Sequence, residues 1–191
     1  GHGTSNLAQK TIDNANDKNF LMISPTISTS DYEDIDDNFF RIIPSNSIQG
    51  SSLGDFILGH TPGDVMIFKE NINSAYTDTV ATSLIDRLEE TQFPVNSNNI
   101  HSFETKNLDS YHEVVNTINE GTATNIVILG SSFDVSRILQ NDLRDDIKVY
   151  FAVWGSTLDI FSSSGDSVNY THGINYFNSN SINPKLIEFL D

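Results

Sequence analysis

Apolar positions fall along this chain in two patterns, short consecutive runs and longer stretches with an apolar residue every three or four. The clearest unit is residues 63–90, GDVMIFKENINSAYTDTVATSLIDRLEE. Val65, Met66, Ile67 and Phe68 form an unbroken run, which predicts a buried strand. A polar loop follows. Val80, Leu84, Ile85 and Leu88 then recur at helical spacing over about residues 75–90, and Pro94 stops any continuation.

The same succession repeats downstream. Residues 98–103 offer a short strand, and Asp109 caps a helix that turns Tyr111, Val114, Val115 and Ile118 inward and closes at Gly121. Residues 125–130 (NIVILG) are a second strand-to-loop element, leading into a helix with Val135, Ile138 and Leu139. Residues 149–153 (VYFAV) run out into Trp154, Gly155 and Ser156, and 173–177 give a last short strand. Residues 184–190 read as the start of a helix.

Upstream, Thr4 or Ser5 caps a helix over about residues 6–15, with Leu7, Ile12 and Ala15 inward. Residues 20–23 (FLMI) predict a strand covered on both faces, and 39–43 (FFRII) a second strand ended by Pro44. Ser45 or Ser47 then caps a helix over about residues 48–58, with Leu53, Phe56 and Ile57 on one face. Strands alternating with helices define an α/β protein, a three-layer α-β-α arrangement around a parallel sheet.

Composition narrows the function. The chain has 191 residues, enough for one domain or two small lobes. Its 10 Lys and Arg against 26 Asp and Glu leave a net charge of −16, without a basic run. Such a chain repels nucleic acid and anionic lipid surfaces, because phosphate contacts need clustered cations. The absence of cysteine removes disulfides, thiol nucleophiles and cysteine metal sites. No apolar run approaches the roughly 20 residues of a membrane span. The opening Gly1-His2-Gly3 reads as a cut from something longer, with any secretion signal lying upstream.

Catalytic and metal signals are weak. The five His are scattered, and no Ser sits in Gly-x-Ser-x-Gly. Neither phosphate-loop pattern occurs. The acidic run 31–37 (DYEDIDD) offers oxygens that calcium prefers, but lacks the central Gly and terminal Glu of an EF-hand loop and reads as a solvated loop. No metal, cofactor or catalytic residue is assigned. What recurs is the delivery of hydroxyls, backbone N–H groups and an aromatic by strand ends: Ser5, Thr26, Ser28, Tyr76, Ser131, and Trp154 with Gly155. Such groups suit binding a small polar or zwitterionic molecule rather than transforming it.

Several segments resemble successive pieces of type I periplasmic binding proteins, in particular the leucine/isoleucine/valine-binding branch of ABC-transporter receptors. They are GHGTS at 1–5, LMISPTIS at 21–28, FFRIIPSNSIQG at 39–50, DVMIFKENINSAY at 64–76, NIVILGSS at 125–132 and NPKLIEFL at 183–190. Their order and spacing together carry the likeness, which covers nearly the whole chain. The resemblance implies two α/β lobes joined by crossover strands and closing on a ligand by hinge motion. Residues 1–43 would be a partial first lobe, 44–175 a second lobe, and 176–191 a return toward the first.

By position, Ser5, Thr26 and Ser28 match first-lobe groups that hold a ligand's α-carboxylate and α-ammonium, and Tyr76 matches the second-lobe tyrosine, followed by Thr77 where the family has Gly. Two departures bear on ligand identity. Ser131 stands where amino-acid binders tend to carry an aromatic, and Trp154-Gly155-Ser156 where they often place an acid, with Asp159 nearby. The function so implied is an extracytoplasmic, periplasmic or cell-surface solute-binding protein. It is not an enzyme; it captures a small amino-acid-like solute for a membrane permease. The other readings are a sensor or non-binding interaction module of the same fold, and, from Ser and Asp abundance alone, a hydrolase or metalloenzyme.

Overall fold

A computed structural model describes residues 5–175, with the side chains of residues 5–7 outside the description. The expected cap at Thr4 or Ser5, the inward Leu7, and the helix at 184–190 therefore lie outside the described residues. Two parallel sheets organise the chain. The smaller pairs β1 (Met22–Ser24) with β2 (Phe39–Arg41), and α1 (Ser5–Asp17) packs on one of its faces. Ala8 and Ile12 of that helix meet Ile27 and Phe39 there, with Met22 and Tyr32 alongside.

The larger sheet holds five strands in the order β4-β3-β5-β6-β7, all parallel. These are β3 (Val65–Glu70), β4 (Ile100–Phe103), β5 (Asn125–Leu129), β6 (Lys148–Phe151) and β7 (Thr171–Gly173). The helices are α2 (Asn46–His60), α3 (Ser74–Glu90), α4 (Leu108–Glu120), α5 (Ser132–Leu139) and the short α6 (Asp159–Ser163).

The period-2 rule for strands sorts this sheet's residues onto two cores. Val65, Ile67, Val127, Leu129 and Tyr150 face α2 and α3, meeting Leu53, Ile57, Val80, Leu84 and Leu88. Met66, Phe68, Ile126, Ile128, Val149 and Phe151 face α4 and α5, meeting Tyr111, Val114, Ile118, Val135 and Ile138. The three α-β-α layers expected from the sequence are present. Burial on both faces explains why β3 and β5 read as continuous apolar runs rather than alternating ones.

Local chemistry sets the element ends. Ser45 caps α2 by accepting the Ile48 N–H. Asn107, not Asp109, caps α4, because an Asn oxygen there reaches the N–H groups of both Asp109 and Ser110. α2 continues through Gly59 to His60, two residues past the expected end, and Phe56 is only partly buried. β6 starts and ends earlier than residues 149–153, and the last described strand lies at 171–173, with residues 176–177 of the strand expected at 173–177 outside the described residues.

One expectation is overturned. The run at 20–23 was to be covered on both faces, yet Leu21 and Ile23 are 60% and 61% exposed, beside Phe40 at 57% and Ile42 at 74%. The reason is geometric: Met22 and Ser24 point toward α1, and among the described residues nothing packs on the opposite face.

α2 and α3 cross closely. A methyl group on Gly50 would stand 2.4 Å from the Val80 carbonyl oxygen, and one on Gly54 would stand 3.0 Å from Arg87 Cγ. The contact advances along both helices in the same direction, so their N-termini lie at the same end of the layer.

Candidate functional site

All five strands of the larger sheet point the same way, so their carboxyl ends form one edge. Order β4-β3-β5 places β3 beside β5, and the helices that follow these two strands go to opposite faces, α3 to one and α5 to the other. A crevice opens outside the carboxyl ends of such a pair, and open α/β sheets bind ligands there. The loop 71–73 and Tyr76 come from the first strand of the pair, and Gly130 and Ser131 from the second.

Tyr76 is the centre of what this edge assembles. Its ring is 5% exposed and meets Trp154 edge-on, with centroids 5.6 Å apart. Its hydroxyl donates to Gln49 Oε1 at 2.8 Å and accepts the Trp154 backbone N–H at 3.5 Å. One phenol thus ties α2, α3 and the turn after β6. Beside it lies a cavity of about 200 Å³ lined by Pro44, Ile48, Gln49, Val153, Ile174 and Asn175. Apolar walls with a few amides suit a small amphipathic guest.

The loop before α3 is rigid by its own bonds. Glu70, 1% exposed, accepts the backbone N–H groups of Ile72 at 2.6 Å and Asn73 at 2.9 Å. Thr77, fully buried where the resembling family has Gly, donates to the Glu70 carbonyl at 2.8 Å. The departure therefore has a structural use: its hydroxyl locks strand end to helix start.

Gly155 follows Trp154 but faces the sheet interior. A methyl there would stand 3.0 Å from Phe151 Cβ and 3.1 Å from Val135 Cγ2, so the site needs a residue without a side chain. Ser131 lies at the same edge, with its hydroxyl committed to a capping box. It donates to Asp134 Oδ2 at 2.5 Å and accepts the Asp134 N–H at 3.3 Å. Fully buried Asp134 also accepts from Thr105 at 2.5 Å and from the Tyr111 hydroxyl at 2.7 Å. Burial, reinforced by the bond to Asp134, pushes the Tyr111 phenol above its ordinary pKa.

Thr26 and Ser28 belong to the loop between β1 and β2. Thr26 is exposed, and its N–H donates to Ser24 Oγ. Ser28 is buried, and its carbonyl accepts the Asn46 N–H at 2.7 Å. Asn46 opens α2, and Gln49 lies one turn on, so a line of contacts runs from Ser28 through the first turn of α2 to Tyr76 and Trp154. The Ser5 side chain is outside the described residues.

Gln49 and Glu70 are polar residues of this edge that the sequence pattern passed over. Gln49 stands four and eight residues before Leu53 and Ile57, a polar residue on a buried stripe, which is the signal that would have found it.

Three acids of the run 31–37 take part in structural bonds, while Asp34 and Asp36 are exposed. Asp31 accepts from Thr29, Asp37 caps the Phe39 N–H, and Glu33 accepts from Ser47 Oγ at 2.6 and 2.8 Å. Burial pushes the Glu33 carboxyl up, but bonds from Ser45, Ser47 and Ser30 and the charge of Arg41 outweigh it and hold the group below its ordinary value. Among the described residues no group of three or more His, Asp or Glu could hold a metal ion, and no helix is long and apolar enough to cross a membrane.

The fold is that of type I periplasmic binding proteins, the substrate-binding components of ABC transporters. Three solved structures show it. The branched-chain amino acid transporter substrate-binding protein LivJ from Streptococcus pneumoniae, in complex with isoleucine, matches with a TM-score of 0.78 at 14% identity, over 100% of this chain and 54% of that one. A leucine-binding protein LivK from Thermotoga maritima gives 0.77 at 14%, over 100% and 55%. A solute-binding protein from R. palustris in complex with benzoate gives 0.79 at 11%, over 97% and 51%. The chain thus spans about half the length of the structures it matches. No protein-family model and no curated protein matches the sequence.

Proposed function

We propose that this chain is part of an extracytoplasmic solute-binding protein that captures a small amino-acid-like molecule for an ABC-transporter permease. Residues 44–175 would form one lobe, and 1–43 part of the other, with 176–191 returning toward it. The observation that carries this reading is the joining of Tyr76, Gln49 and the Trp154 backbone at the carboxyl edge of the sheet, beside an apolar cavity, with the Ser28 carbonyl bound to the Asn46 N–H one turn before Gln49. Neutral hydrogen-bond groups around an aromatic pair hold a zwitterion without providing a nucleophile or a paired acid and base.

Two of the matched structures are described with isoleucine and with benzoate bound, and both are small carboxylates with an apolar body. A thermal-shift screen of amino acids and small carboxylates on the full-length protein tests the proposal. A ligand bound only by the folded state raises the midpoint in step with the ratio of its concentration to Kd. If no member of a broad panel does so, the reading fails.

A further inference from the structure

Two histidines meet at the far end of α2 from the Gln49–Tyr76 contact. His60 is the last residue of α2, and His172 is the middle residue of β7, an edge strand of the larger sheet. Their ring centroids are 6.3 Å apart. Both rings pack on one aromatic group. His60 lies 3.9 Å from the Phe56 ring, and His172 stacks on Tyr150 at 5.3 Å and meets Phe56 edge-on at 5.6 Å. These contacts fix where the two imidazoles stand.

The proton state of the rings favours metal ligation. A carbonyl oxygen only accepts, so when His60 is neutral its Nδ1, 2.9 Å from the Phe56 carbonyl oxygen, carries the proton and Nε2 keeps a free lone pair. Histidines that bind an ion through one nitrogen commonly donate the other N–H to such a carbonyl. Burial, then the charges of Lys148 and His60, holds the His172 imidazole below its ordinary pKa, so it is neutral at pH 7. Among the described residues no hydrogen bond occupies its ring nitrogens. The last carbonyls of α2 add negative potential beside His60, and the net charge of −16 draws cations to the chain.

We propose that His60 and His172 form a two-histidine site for a divalent transition-metal ion such as Zn²⁺ or Ni²⁺, which clips the end of α2 to β7. With metal–nitrogen bonds of about 2.0–2.1 Å, two imidazoles on one ion have ring centroids roughly 5–6.5 Å apart, and 6.3 Å falls within that span. His60 is exposed, so its ring is free to close on the ion. Imidazole suits these metals, whereas Ca²⁺ and Mg²⁺ prefer carboxylate oxygens, and no acid bears on His172. Lys148 opposes the ion and limits its affinity. With two protein ligands the remaining positions fall to water, so the site is a structural clip and is independent of solute binding.

The experiment uses the full-length protein freed of metal with EDTA, as wild type, His60→Gln and His172→Phe, titrated calorimetrically with Zn²⁺ and with Ni²⁺ at pH 7. His60 is exposed, and His172→Phe keeps an aromatic ring against Tyr150 and Phe56, so both variants are expected to fold. The expected result is binding of both ions by wild type that weakens at least about tenfold in each variant. Zn²⁺ is also expected to raise the melting midpoint of wild type more than that of either variant. Binding that stays unchanged in the two variants places the ion on other groups and overturns the assignment. A wild type that binds neither ion overturns it as well.

Discussion

The hydroxyl of Tyr76 and the side-chain oxygen of Gln49 meet at 2.8 Å in a buried contact that joins the first turns of α3 and α2. Gln49 is 2% exposed, so its oxygen loses its one side-chain donor in a largely buried place when the phenol leaves. Tyr76→Phe is expected to cost about 1–2 kcal/mol, the range for an orphaned buried acceptor. Gln49→Leu on that background is expected to recover part of the loss, since it removes the acceptor that the phenol leaves unpaired, while the long bond from the Trp154 N–H stays lost. Urea unfolding of Tyr76→Phe, Gln49→Leu and the double variant checks this, and strictly additive losses would contradict it.

A second prediction separates a cap from a carboxylate hub at Ser131 and Asp134. Ser131→Ala removes one capping oxygen and is expected to cost about 1 kcal/mol. Asp134→Ala strips an acceptor from Ser131, Thr105 and Tyr111 at once and is expected to cost about 3 kcal/mol. Unfolding midpoints in urea rank the two, and the reverse order would show that the network is not held by Asp134.

Glycine substitutions give a prediction of opposite signs within one helix. Gly50→Ala puts a methyl against the Val80 carbonyl and must push α2 from α3, an overpacking cost of about 2–3 kcal/mol. A methyl on Gly59 meets nothing within 4 Å, so Gly59→Ala is expected to stabilise by about 0.5–1 kcal/mol through lost chain entropy. Thermal unfolding of both variants reads the contrast.

Glu33 supplies a pH dependence. Its folded pKa lies below the ordinary 4.5, so the folded state favours the carboxylate more than the unfolded chain does. The resulting stability is complete above the ordinary value and is lost as pH falls through the folded one. Wild type is therefore expected to exceed Glu33→Gln in stability at pH 7, with the gap closing in acid. A gap that stays constant from pH 7 to pH 3 would remove the carboxylate bonds to Ser47 as its cause.

Much of the fold was legible because burial on both faces leaves unbroken apolar runs, as at Val65 to Phe68 and in NIVIL. The helix faces of α3 and α4 were legible from spacing for the same reason. Two things were not. Whether Ile23 and Phe40 would be covered depends on which other elements exist to pack on them, and a local pattern does not carry that. The capping role of Ser131 was not legible either, because a cap and a strand-end binding hydroxyl have the same local signature; its bond to Asp134 reveals the cap.

Within the candidate site, Tyr76 and Trp154 were visible as strand-end aromatics. Their union through Gln49 was not, since it joins residues 27 apart in sequence on separate helices.

The central claim, a small-solute site at the Tyr76–Trp154 edge, is tested most directly by tryptophan fluorescence. Trp154 is the single tryptophan of the chain, so in a protein whose other tryptophans are replaced its emission reports this edge alone. Titration with an amino acid that raises the melting midpoint is expected to shift that emission saturably, and Tyr76→Ala to weaken the response at least tenfold. Trp154 emission unmoved at saturating ligand would contradict the account.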